Sequence, residues 1–215
     1  MSLAHGFIDI VLHLDRHLVD LLGQFGPWIY GILFLIIFAE TGFVVTPFLP
    51  GDSLLFAVGA LAAVDTSGTL NAPVVSVLLA AAAVLGNTLN YSIGRAIGPR
   101  AFSGRYRFLK VEYLHQTEGF FKRYGAMTIV ISRFMPIIRT FAPFVAGIGR
   151  MPYARFQGFN VLGGVSWVML FIWGGYLFGN IPAIKKNFGL VTIAIIIVSV
   201  MPAVIALLRR KSAPA

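Results

Sequence analysis

Four charged residues stand where so apolar a chain would be expected to carry none. Glu40 and Asp52 lie in "FAETGFVVTPFLPGDSLLF" (38–56), and Arg133 and Arg139 lie in "SRFMPIIRTFAPFVAGIGRM" (132–151). An arginine at membrane depth costs ~2.5–3.5 kcal/mol on insertion scales, so it needs a partner. The guanidinium is planar, permanently charged and forked, and it fits a phosphate bidentately. Arg133 and Arg139 are therefore candidates for binding an anionic group; the alternative is structural pairing with Glu40 or Asp52. The two acids can serve as charge partners that hold the arginines, or as proton-exchanging groups, because desolvation and a neighbouring cation act in opposite senses on a carboxyl group. Asp52 has a further use. After Pro50-Gly51 it is well placed to cap the N-terminus of the helix that follows.

These residues must be positioned by membrane helices. Of the 215 residues 58% are hydrophobic and only 12% are charged, well beyond the soluble average. The length allows one membrane domain and leaves no room for a separate soluble enzyme domain. The absence of cysteine rules out disulfides, thiolate metal sites and a cysteine nucleophile. The net charge of +9 comes from basic loops between apolar runs, which marks membrane orientation rather than nucleic-acid binding.

Along the chain, residues 1–26 read as an amphipathic interfacial helix ended by Gly26 and Pro27. Apolar positions recur at three-to-four spacing against His5, His13 and Asp20 on the other face. The start does not read as a signal peptide, lacking a basic leader and an apolar core. Residues 27–211 form a single membrane domain. Spans are expected at 72–94, 156–180 and 188–208, each near the ~20 residues that a crossing requires. A basic amphipathic linker occupies 95–123, and a basic tail occupies 209–215. The positive-inside rule puts both on the cytoplasmic side.

Two apolar stretches do not read as simple spans. Segment 28–64 is broken at Pro47, Pro50 and Gly51, and segment 125–149 at Pro136 and Pro143. Each is expected to be a re-entrant hairpin with those residues at its tip, since irregular backbone survives at membrane depth only inside protein or beside a wet cavity. Each hairpin is followed by a span closing in Tyr-x-x-Gly, in "NYSIGRAIG" (90–98) and "GYLFGNIPA" (175–183). Two interrupted segments in matching positions point to a transporter site built on an inverted repeat. The expected fold is thus an all-α integral membrane protein: two opposed re-entrant hairpins, about three full spans and interfacial amphipathic helices.

The two charged stretches resemble the signature stretches of the DedA family, whose membrane domain is also called the VTT or SNARE-associated domain. The resemblance extends over nearly the whole chain. It implies a bacterial inner-membrane protein that moves lipids across the membrane, with undecaprenyl phosphate or a phospholipid as substrate and, in some members, dependence on the proton-motive force. It also implies functional roles for Glu40, Asp52, Arg133 and Arg139. In one place the chain departs from many relatives. Where they carry Asp in Gly-Asp-x-x-x-Tyr, this sequence reads Gly86-Asn87-Thr88-Leu89-Asn90-Tyr91, which questions a proton relay at that position.

Asn87, Asn90 and Tyr91 are secondary candidates, with Asn160 a further polar residue in a span. Asparagines in spans more often join helices than hold substrate. Gly86, Gly94 and Gly98 have the spacing of close helix packing. Of Trp28, Trp167 and Trp173, only Trp28 is well placed as an interface anchor. No metal or cofactor is expected, and the histidines are ordinary polar-face residues. No nucleophile–base set is recognisable, so enzyme chemistry is not expected. The leading reading is a translocase for a lipid with an anionic headgroup; a homo-oligomer and proton coupling are left open. The alternatives are a proton-coupled antiporter for small or drug-like cations, with Glu40 and Asp52 as ligands, and a structural protein organising envelope or division partners.

Overall fold

The long apolar runs become helices that bury their polar residues together with an apolar core and leave other large apolar residues exposed. The structure, a computed structural model, describes residues 23–43, 51–65, 68–97, 111–179, 181–182 and 194. Among these, all regular structure is helical: α1 (Ile29–Gly42), α2 (Gly51–Val64), α3 (Ala72–Ile97), α4 (Val111–Tyr124), α5 (Thr128–Ile131), α6 (Pro136–Ile148) and α7 (Tyr153–Phe178). The predicted stop at Gly26-Pro27 is a short 3-10 turn, Gly26–Trp28, with Gly26 at φ +50°. Most of the interfacial helix 1–26, the break at Pro47 and Pro50, the span 188–208 and the tail 209–215 lie outside the described residues.

Gly23–Gly42, Ala72–Ile97 and Tyr153–Phe178 are long and apolar enough to cross a membrane. The last two match the spans expected at 72–94 and 156–180. The first overlaps the segment read as re-entrant and begins inside the stretch read as interfacial, and the following helix, α2, has 14 residues, too few to cross alone. Burial supports a lipid environment. On α3, Asn87 and Asn90 are buried while Val77 and Leu85 are exposed; on α7, Asn160 is buried while Leu162 and Leu170 are exposed. A soluble helix would reverse this pattern.

The second interrupted segment breaks where proline predicts. A 3-10 turn at Ser132–Phe134 leads to Met135 in an extended conformation (φ −129°, ψ 100°), and Pro136 opens α6. Proline at the first helical position has no N–H to waste and a suitable φ, so this break is inexpensive. Pro143 corrects the expectation of a tip residue, because it lies inside α6. Asp52 also differs from its expected cap position: α2 starts at Gly51 and carries Asp52 within its first turn, where a carboxylate complements the helix dipole.

A 14-residue helix (α2) and a 13-residue helix (α6) each precede a 26-residue helix, α3 and α7 respectively, in the two halves that the sequence reads as repeats. The described residues form two compact units. One contains 23–34, 51–79 and 168–179; the other contains 35–43, 80–97 and 111–167. In the first, α2 meets α7: a Cβ on Gly59 would come within 1.9 Å of the Ile172 carbonyl oxygen, and one on Gly175 within 1.9 Å of that of Phe56. In the second, α6 meets α3 in the same reciprocal way, through Gly147 against Tyr91 and Gly94 against Phe144, at 2.1 and 2.2 Å. Each of α2 and α6 therefore packs on the long helix of the other half.

Gly174 and Gly175 offer an internal control. A Cβ at Gly174 meets nothing within 4 Å, whereas at Gly175 it strikes backbone. Gly175→Ala is expected to destabilise by about 1–3 kcal/mol through overpacking, and Gly174→Ala to be neutral or slightly stabilising. Melting midpoints of the two purified variants in one detergent provide the comparison; equal midpoints would refute the close crossing.

Candidate functional site

Three of the four charged candidates meet inside the second unit. Glu40 ends the inward face of α1, one turn beyond Ile37, and is 3% exposed. Its neighbour Thr41 returns its hydroxyl to the Ile37 carbonyl at 2.8 Å. Arg133 sits in the 3-10 turn before the break and is fully buried, and Arg139 sits in the first turn of α6, 6% exposed. The break thus aims both guanidiniums into one interior. Asp52, though buried, belongs to the other unit.

The two arginines are held differently. Arg139 Nη2 donates to Glu40 Oε1 at 2.5 Å, and its Nη1 reaches the Arg133 carbonyl at 3.5 Å. Arg133 Nη2 donates to two neutral oxygens, Ala83 O at 3.2 Å and Asn160 Oδ1 at 3.0 Å. Both guanidiniums lie over the Trp167 ring, their Cζ atoms 5.7 and 5.0 Å from its centroid, within cation–π range. Gly163 and Gly164 make room, since a Cβ on Gly164 would lie 3.2 Å from Arg133 Nη2. Within this unit the described residues bring two guanidiniums and the Glu40 carboxylate together. Arg133 Nε and Nη1 are buried and, among the described residues, have no hydrogen-bond partner.

The secondary candidates divide. Asn87 Nδ2 donates to Asn160 Oδ1 at 3.1 Å, which ties α3 to α7 beside Arg133. Asn90 Nδ2 bridges the carbonyls of Thr41 and Thr140 at 3.3 and 2.9 Å, tying α3 to α1 and α6. Asn90 thereby braces the helices that carry Glu40 and Arg139, while Asn87 braces the side chain that receives Arg133. Tyr91 stacks on Phe156 with ring centroids 4.3 Å apart, gives its hydroxyl proton to the Met151 carbonyl and accepts from Arg95; its contacts are those of a packing residue. Gly86 and Gly94 are close-packing positions, as their spacing predicts, and Gly98 lies outside the described residues. Trp28 is 77% exposed, in keeping with an anchor, and Trp167 is fully buried.

Sequence reasoning gave Asn160 no special place. Its carbonyl oxygen receives Arg133 and Asn87, while its amide nitrogen donates to Val84 O at 3.0 Å, Gln157 Oε1 at 2.9 Å and Thr88 Oγ1 at 3.4 Å. The available signal was the Asn160 to Gly164 spacing, one helical turn that sets an amide and a gap on the same face of α7.

The VTT domain model matches residues 49–177, a stretch containing Asp52, both arginines and nearly all of α3 and α7. Over its full length the chain is 49% identical to "Protein DedA" of Escherichia coli strain K12 and covers 98% of that protein. The chain belongs to the DedA family. Other DedA-family relatives include "Inner membrane protein YqjA" of E. coli, 36% identical over 159 residues, covering 74% of this chain and 71% of that one. An uncharacterized membrane protein of Mycobacterium tuberculosis is 40% identical over 197 residues, covering 89% and 86% respectively. No solved structure matches. With its apolar, lipid-ready helices, this DedA-family chain is a membrane protein.

Proposed function

We propose that this protein moves a lipid with an anionic headgroup between the leaflets of the bacterial inner membrane, with undecaprenyl phosphate or a phospholipid as its substrate. One observation carries the reading. Two guanidiniums are buried together on Trp167 beside the Glu40 carboxylate, and among the described residues Arg133 Nε and Nη1 have no partner. Paired guanidiniums with spare N–H donors are complementary to a phosphate. A cation carrier would need spare acceptors instead, and this argues against the antiporter reading.

In outline, the headgroup takes the donors of Arg133 and competes with Glu40 for Arg139. The tail stays in lipid. Trp167 keeps both guanidiniums stacked while their partners change. Among the described residues of this unit, Glu40 is the only buried carboxylate, so it is the group able to exchange a proton for its lost partner.

The test is lipid flux into proteoliposomes with a headgroup series at constant chains. Flux is expected to follow phosphate charge, and soluble phosphate esters should compete. A pH gradient should bias wild-type flux but leave Glu40→Gln unaffected. Flux that ignores headgroup charge would refute the reading, and flux that ignores the gradient in wild type would reduce it to passive scrambling.

A further inference from the structure

The contrast between the two arginines leads to a specificity residue. Arg139 faces a carboxylate at 2.5 Å, and that contact neutralises it. Arg133 is fixed by the Asn160 amide and the Ala83 backbone carbonyl, both neutral. We propose that Asn160 sets the headgroup-charge preference of this site, orienting Arg133 through an oxygen that leaves its charge intact. The proposal rests on the reading that the arginine pair receives an anionic headgroup.

The surroundings explain how a neutral side chain can do this. A buried guanidinium needs hydrogen bonds to offset desolvation, and without them it would swing toward any available acid. Asn160 is itself fully buried. Its amide nitrogen is committed to Val84 O and Gln157 Oε1, which fixes which end of the side chain is oxygen. Gln157 is set in turn by donating to Thr88 Oγ1 and Tyr153 OH at 2.8 and 2.7 Å. These bonds aim Asn160 Oδ1 at Arg133 Nη2 while Nε and Nη1 stay unspent. A carboxylate of the same shape would supply the same acceptor but neutralise Arg133. Asn160 thus acts through Arg133 as a positioning residue.

The experiment measures binding of spin-labelled phosphatidic acid and phosphatidylcholine, with matched chains, to purified full-length protein in detergent micelles. Wild type should prefer the anionic lipid, and Arg133→Ala should lose the preference. Asn160→Asp should weaken phosphatidic acid binding by roughly tenfold or more and phosphatidylcholine binding much less, because the added charge opposes a net-negative headgroup more strongly than a zwitterionic one. General damage to the fold would lower both affinities together and leave their ratio unchanged. Asn160→Ser, which keeps a neutral acceptor, should retain the preference at reduced affinity. If wild type shows no preference, or Arg133→Ala keeps one, the functional reading itself fails. If wild type and Arg133→Ala behave as stated but folded Asn160→Asp keeps the wild-type ratio, or folded Asn160→Ser loses it, only the role of Asn160 is overturned.

Discussion

Arg139→Ala is expected to abolish lipid movement and to cost about 3–5 kcal/mol of stability, since it breaks a buried ion pair by removing one partner. Glu40 and Arg139 are 3% and 6% exposed, so water cannot readily take over the lost contact. Stability and transport can be separated. Glu40→Leu combined with Arg139→Met replaces the whole pair by apolar groups of similar size, a change that is often neutral or stabilising. The double variant should recover the melting midpoint yet remain inactive, because one of the two headgroup donors is gone. Melting in detergent and flux in proteoliposomes read the two effects independently. Wild-type flux from Arg139→Ala at equal reconstitution would remove it from the site.

Arg133→Lys should be nearly as damaging to transport and milder for stability. A lysine ammonium can still reach Ala83 O or Asn160 Oδ1, so the buried charge keeps some partners. It has no planar fork to offer a phosphate and no flat face to lie on Trp167. Flux is expected to fall by roughly tenfold or more, equivalent to about 1.4 kcal/mol in binding, and Arg133→Ala should fall further. Substantial rescue by lysine would mean that charge alone suffices and that the forked geometry is irrelevant.

The sequence exposed those features whose cost is local. Glu40, Arg133 and Arg139 were visible because any charge in an apolar run demands a reason, and the break at Pro136 because proline rejects the residue geometry before it. Glycine spacing on α3 was legible for the same reason, since Gly86 and Gly94 weaken a helix unless something approaches. Partner identity was not legible. Glu40 and Arg139 are 99 residues apart, and Arg133 and Asn160 are 27 apart, so their pairing depends on helix register that no local pattern encodes. Asn160 looked like any asparagine in a span until five hydrogen bonds converged on it. Pro143 read as a tip by composition and sits inside α6; a proline by itself does not say whether a helix ends or merely loses one bond. Asp52 read as an equal of Glu40, yet it belongs to a different unit.

The reciprocal glycine crossings have a consequence for biogenesis. When the ribosome has completed α2, the α7 surface that Gly59 will meet is still roughly a hundred residues away, a delay on the order of ten seconds at ordinary elongation rates. α3 likewise waits for α6. The amino-terminal half therefore leaves the translocon with its small-residue faces open to lipid, or to whatever insertion factor shields them, and neither unit can close until the last long helix has been made. Assembly of this protein is in that sense post-insertional, and a nascent chain halted after α3 should behave as an unfinished client, prone to proteolysis, rather than as a folded half.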